Sequence, residues 1–237
     1  PFFDTFFFDD LFFDDLFFDD AFFGEDDFFF ISDADFFGFE GVSDIIEFNS
    51  LTPGGATSLA NTLVGGLISS GLTLTSASFT GDTTVGSGSA GIFASLNLGS
   101  VGGDFFDLGG GIVLTSGDGT PNNTNTAIGF SGTASGSGDF DLNTLLSNTG
   151  HSQTTTDSSI LEFTFTVPSG INAIVFDFMF GTDEFNEKFV NDVAAVFVDG
   201  TNFAFFQDGN ILHFDNNINE GNFFNNTGGA LGIEYDG

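Results

Sequence analysis

The chain has 237 residues and carries 34 Asp and Glu against a single Lys, a formal net charge of −33. That balance excludes nucleic acid as a partner, because binding needs basic groups to displace phosphate counterions, and it makes an anionic membrane surface unfavourable. Divalent cations are the natural partners, since they relieve the self-repulsion of so acidic a chain. Cysteine is absent, so no disulfide framework exists. No apolar run reaches the length that spans a membrane. The chain opens at Pro1 with no basic leader, as a processed secreted chain or an incomplete one does.

Residues 1–49 read as a low-complexity arm. Its centre, FFFDD-LFFDD-LFFDD-AFFGE, repeats every five residues. Five residues turn about 500° on a helix, so the Phe pairs form no single apolar face. On a strand an odd period flips each repeat to the other side. A pentapeptide solenoid fits the number, but Phe and Leu fill positions that want small residues, and four repeats make only about one coil. The remaining reading is an extended arm that needs a partner. Phe7, Phe8, Phe12, Phe13, Phe17, Phe18, Phe22 and Phe23 would pack in an apolar groove of a neighbouring subunit. A disordered acidic tail is the bland alternative; so much exposed Phe would aggregate.

Residues 50–237 read as one β domain. Thr52-Pro53-Gly54-Gly55 opens a helix, with Thr52 as N-cap and Pro53 at the first helical position. Ala56, Leu59, Ala60, Leu63, Val64 and Leu67 give it one apolar face, and Gly65-Gly66 and Gly71 are expected to end it. Strands follow at Leu72–Thr75, Ile92–Leu96 and Ile112–Leu114, separated by Gly and Ser clusters as in a β-sandwich. Residues 117–158 read as long polar loops with one helical turn at Leu142, Leu145 and Leu146. Asp139, Asp141 and Asn143 alternate there. They form a second cation cluster or, equally, cap turns and short helices. In DSSILEFTF (157–165), Leu161, Phe163 and Phe165 share one face, and Ile160, Glu162 and Thr164 the other.

The most informative stretch runs from Ile174 to Gly200. Ile174, Phe176, Phe178 and Phe180 alternate with Val175, Asp177 and Met179, a strand with one wholly apolar face. Val193 to Val198 is almost continuously apolar, as in a strand covered on both sides. Between them lie Asp183, Glu184, Asn186, Glu187, Asn191 and Asp192, with Lys188 the only cation. An acidic turn is most often a solvated one. Calcium is the sharper reading: it takes about 6–8 hard oxygen ligands, and carboxylates crowded between buried strands, Asp177 included, repel unless a cation bridges them. The spacing is not that of an EF-hand. Beyond it, Asn202–Phe206 and Ile211–Phe214 read as short strands joined by a turn at Gly209-Asn210.

No GxSxG, HExxH or paired-Cys motif is present, and His151 and His213 stand about sixty residues apart. Each reads as a surface or packed residue, and no enzymatic activity is expected.

FDFMFGTDEFNEKFVNDVAAVFVDG (176–200) resembles the most recognisable segment of the bacterial choice-of-anchor L domain. So do ATSLANTLVG with LTLTSASFTG, the GIVLTSG run, GDFDLN at 138–143, and IEYDG at the end. The resemblance covers about residues 50–237 and leaves the Phe/Asp arm outside. It implies a β fold, here a jelly-roll or Ig-like sandwich with one short helix packed on a sheet. It also implies a secreted or cell-surface setting, and further strands beyond Gly237: either the sequence is truncated there, or a sandwich is left with an open edge. The expected function is a structural subunit of a fibre or filament, a homo-polymer built through arm or strand exchange and stiffened by calcium. The alternative is a calcium-dependent adhesin for a surface glycan or protein.

Overall fold

The computed structural model describes residues 16–23, 27–32, 46–47, 56–67, 72–83, 89–93, 95–102, 104–117, 125, 136–151, 154–170, 176–185, 193–214 and 220–237. Its elements are mainly strands. In chain order they are β1 (Leu16–Phe23), β2 (Asp27–Ser32), β3 (Ile46–Glu47), α1 (Ala56–Leu67), β4 (Thr73–Thr80), β5 (Ala90–Phe93), β6 (Leu96–Val101), β7 (Asp104–Leu108) and β8 (Gly111–Thr115). They continue with α2 (Phe140–Asn148), β9 (Ile160–Thr166), β10 (Asp177–Thr182), β11 (Val193–Val198), β12 (Thr201–Asn202) and β13 (Leu212–His213).

Two antiparallel sheets carry the structure. The first runs β12-β11-β1-β9-β4, with β13 also on β11; the second runs β10-β2-β8-β5-β3, and β6-β7 is a separate hairpin. One apolar core takes residues from both sheets. Phe79, Leu161, Ala194 and Val196 come from the first, Ala90, Ile112 and Leu114 from the second, and α1 adds Ala60, Leu63 and Val64.

Each sheet is also covered on its outer face, which explains the apolar runs. All six residues of β11 are buried. Ala194 and Val196 enter the shared core, while Val193, Ala195 and Phe197 pack with Leu142 and Leu146 of α2. In β8, Ile112 and Leu114 face the shared core. Val113 meets Leu96, Leu98 and Leu108 of the hairpin and Leu231, Ile233 and Tyr235 of the C-terminal segment. The expected alternation holds in β10: Phe176, Phe178 and Phe180 pack on the shared core and Met179 on the outer cluster.

Several expectations need correction. There are two helices, not one: the turn expected at Leu142 is the start of nine-residue α2. The Gly65-Gly66 pair does not stop α1, which runs to Leu67. Leu67 packs on the shared core, and that contact offsets the roughly 1 kcal/mol each helical Gly costs. The run Ile92–Leu96 is two strands, β5 and β6, and a further strand, β7, stands between the expected runs. Thr52 and Pro53 lie outside the described residues.

Part of the Phe/Asp arm lies inside the sheets. β1 pairs with β11 and β9, and β2 pairs with β10 and β8. The odd repeat is accommodated by a bulge. Phe18 is opposite Phe163 but Ala21 is opposite Leu161, so β1 advances one residue more than its partner. That extra residue turns a step of five along β1 into an even step along β9. Among the described residues, no helix is long and apolar enough to cross a membrane.

Candidate functional site

The acidic turn begins where β10 ends. Thr182 bonds twice to the C-terminal segment: its N–H donates to the Gly237 carbonyl (2.8 Å), and the Gly237 N–H donates back (3.0 Å). The Thr182 hydroxyl accepts from the Glu184 N–H (3.1 Å), tightening the turn. The next three side chains are buried. Asp183 is 1% exposed, Glu184 2% and Phe185 3%. Phe185 fixes the turn from beneath, with its ring 5.7 Å from Phe214 and 6.0 Å from Phe223.

The segment facing this turn is itself acidic and buried: Glu234 is 0% exposed and Asp236 1%. Asn226 organises it. Its amide donates to the carbonyls of Ile233 and Tyr235 (3.1 and 2.7 Å) and its side-chain oxygen accepts from the Leu231 N–H (2.7 Å). Asp236 Oδ1 accepts from the Asn125 amide (2.6 Å), while its Oδ2 is buried without a hydrogen-bond partner. Burying several carboxylates is costly unless hydrogen bonds or opposite charge compensate, and the chain's one Lys or Arg is Lys188.

Of the turn residues singled out from sequence, Asp183 and Glu184 meet here, and Asp177 lies in β10, half-buried. Asn186, Glu187, Asn191, Asp192 and Lys188 lie outside the described residues. Among the described residues no three His, Cys, Asp or Glu side chains stand close enough to hold a metal ion.

At the second acidic motif the geometry is that of a cap. Asp139 is the N-cap of α2, with Oδ1 accepting from the Asp141 and Leu142 N–H groups (2.6 and 2.8 Å). Asn143 Oδ1 accepts from the Thr155 N–H and hydroxyl (2.6 and 3.1 Å), and the Thr155 hydroxyl accepts from the Asp139 N–H (2.8 Å). Asp141 is exposed. Gly138 is required, because a Cβ there would run into the Thr155 carbonyl. Asp139→Ala is therefore expected to cost about 1 kcal/mol of stability, as lost caps do, while Asp139→Asn keeps the cap. Burial raises the Asp139 carboxyl above its ordinary range, against the lowering by the Leu142 and Asp141 amides. The folded chain then binds more protons than the unfolded one between the two pKa values, so stability falls as pH rises through that acid window. Urea unfolding of the Asn variant across that window should show this slope reduced.

The structure brings together two residues that sequence kept apart. The His151 and His213 rings stand edge to face at 4.5 Å. His213 is buried, with Nδ1 3.2 Å from the Ile211 carbonyl. Only topology makes the pair, because β13 lies beside β11 and α2, which leads into His151, covers the outer face of that strand.

A second feature had no sequence signal. A partly open cavity of about 110 Å³ is lined by Met179, Phe180, Phe206, Phe223, Phe224 and Tyr235 among others. Its rings interlock, Phe206 and Phe223 at 5.2 Å and Phe180 and Phe206 at 6.2 Å.

A family model described as the choice-of-anchor L domain matches residues 52–231. No curated protein matches the chain, and no solved structure does.

Proposed function

The chain belongs to the choice-of-anchor L family, and from that premise we propose that it is a structural subunit of a secreted or cell-surface fibre, assembled by exchange of its N-terminal strands. A choice-of-anchor domain suggests a protein at or beyond the cell surface, and the two-sheet arrangement is read as a sandwich. One observation carries the proposal. The family match starts at residue 52, yet both sheets are completed by strands that precede it, β1 and β2.

Without β1, β9 and β11 lose their shared neighbour. Without β2, β10 and β8 do. The family domain thus has two strand-wide slots, each with unpaired backbone groups on both sides. A strand that fills such slots from its own chain fills them equally well from the next copy, because the same strand brings the same backbone pairing and apolar burial. Exchange of an identical element in a head-to-tail sense gives a filament where its rotation does not close into a ring. Calcium, bound at the acidic turn, stiffens each subunit and reduces repulsion between copies of charge −33.

Electron microscopy of the purified chain, with and without a chelator, tests assembly. Addition of excess peptide 16–32 tests the mechanism. Filaments are expected, and the peptide should shorten them by capping empty slots. Filaments of unchanged length would refute strand exchange. Dispersed monomers throughout would sink the fibre reading and leave a surface glycan or protein adhesin as the better account.

A further inference from the structure

We infer that Phe140 of one copy inserts its ring into the aromatic cavity of the next, forming a head-to-tail contact between copies. The inference rests on the assembly reading above but uses different residues. Phe140 is 79% exposed, and among the described residues it is the large apolar side chain that stands in solvent. It stands at the first position of α2, immediately after the cap residue Asp139. The cap holds the backbone at that point, so the ring projects from a fixed position.

The cavity suits such a ring in size and in charge. An engineered protein cavity of about 150 Å³ takes up benzene. The volume here is about 110 Å³ and the cavity is partly open, so a phenyl ring fits with its stem outside. Phe180, Phe206 and Phe223 already meet at tilted and edge-on angles, and a further ring extends that packing. The lining holds no Asp, Glu or Lys. In a chain of net charge −33, an uncharged opening lets an equally acidic copy approach without placing carboxylate against carboxylate in the contact. Its two Asn side chains are occupied internally: Asn226 holds the C-terminal segment, and the Asn222 amide donates to Asp208 (2.8 Å). An apolar occupant leaves both arrangements intact.

Knob and hole lie on different parts of the molecule. α2 covers the outer face of the first sheet, whereas the cavity is lined by β10, the hairpin, Phe206 and the C-terminal segment. The contact is therefore heterologous, and it leaves a free knob and a free hole at the two ends of any open chain of copies. One ring buries far less than the roughly 1,200 Å² of a stable interface, so each contact is weak and acts by adding to the strand exchange. Screening of the flanking carboxylates should tighten it, so association rises between low salt and about 0.15 M.

The absence of native cysteine permits a direct test on the full chain. Asp141 is exposed beside the knob, and a Cβ at Gly221, beside the hole, meets nothing within 4 Å. The Asp141→Cys and Gly221→Cys proteins, mixed and oxidised, should give a linked dimer that neither gives alone. Adding Phe140→Ala to the first should reduce the link at least tenfold; because the side chain is exposed, folding is unaffected and is checked by the melting curve. Linking that survives Phe140→Ala, linking in either protein alone to the same extent, or no linking overturns the inference. Filaments blocked by peptide 16–32 but untouched by Phe140→Ala would leave strand exchange standing and remove this contact.

Discussion

Asn226→Ala is expected to cost on the order of 3–5 kcal/mol of folding stability, a large share of the roughly 5–15 kcal/mol a domain has. The side chain is 2% exposed and makes three hydrogen bonds to the segment that covers the second sheet: two donated to Ile233 and Tyr235, one accepted from Leu231. Alanine leaves those buried backbone groups without this partner, at about 1–3 kcal/mol for each group that finds no other. Asn125 mitigates the loss at Tyr235 only through a long bond of 3.4 Å. The damage then spreads, because Leu231, Ile233 and Tyr235 form the outer cover of Val113 and Phe93. Asn226→Asp should be at least as harmful at neutral pH, since it keeps the acceptor for Leu231 but turns an anionic oxygen on two carbonyls. Denaturant unfolding should show a lower midpoint, with fast amide exchange at Leu231. A loss below about 1 kcal/mol would remove Asn226 as the organiser of this segment.

The contrast between what composition revealed and what it hid follows from the range of the interactions. β11 was legible because cover on both faces leaves an apolar residue at every position. β10 and β9 were legible because each has one face on the shared core, and the pattern survives in a window of six or seven residues. α2 was under-read because what stabilises it is not a wide apolar stripe. It is a polar clamp between Asp139, Asn143 and Thr155, which are 12 and 16 residues apart in chain order. β7 hid behind the glycines that flank it, and its two Asp residues break the apolar alternation. The bulge in β1 could not be read from one strand, since it exists only relative to β9. The acidic turn was visible as composition, but the near-complete burial of Asp183 and Glu184 was not. Burial there depends on Phe185 and on the return of the chain at Gly237.

That burial sets the second large expectation: replacing Asp183 with Asn and Glu184 with Gln should invert the response of the fold to calcium. Both side chains are almost inaccessible and consecutive, and buried like charges raise the energy of the folded state. The amides have nearly the same shape without the charge. In chelator the double variant should therefore melt higher than the parent. Calcium bound to the folded parent adds RT ln(1 + [L]/Kd), about 2.7 kcal/mol at a hundredfold excess. With the weak affinities of extracellular modules, roughly 0.1–1 mM, that excess is reached at about 10–100 mM calcium. The variant, short of two anionic ligands, should gain much less, so the two melting curves change order as calcium is added. Magnesium should not produce the exchange, because it gives up its water reluctantly and demands a tighter octahedron. Two carboxylates do not complete a calcium shell, and among the described residues no third acidic group stands close enough. The remaining oxygens would have to come from Asn186, Glu187, Asn191 and Asp192 on the same turn. Asp192→Asn alone should then weaken calcium binding. Identical melting temperatures for the parent with and without calcium would end the cation reading and leave the turn as a buried acidic element of the fold.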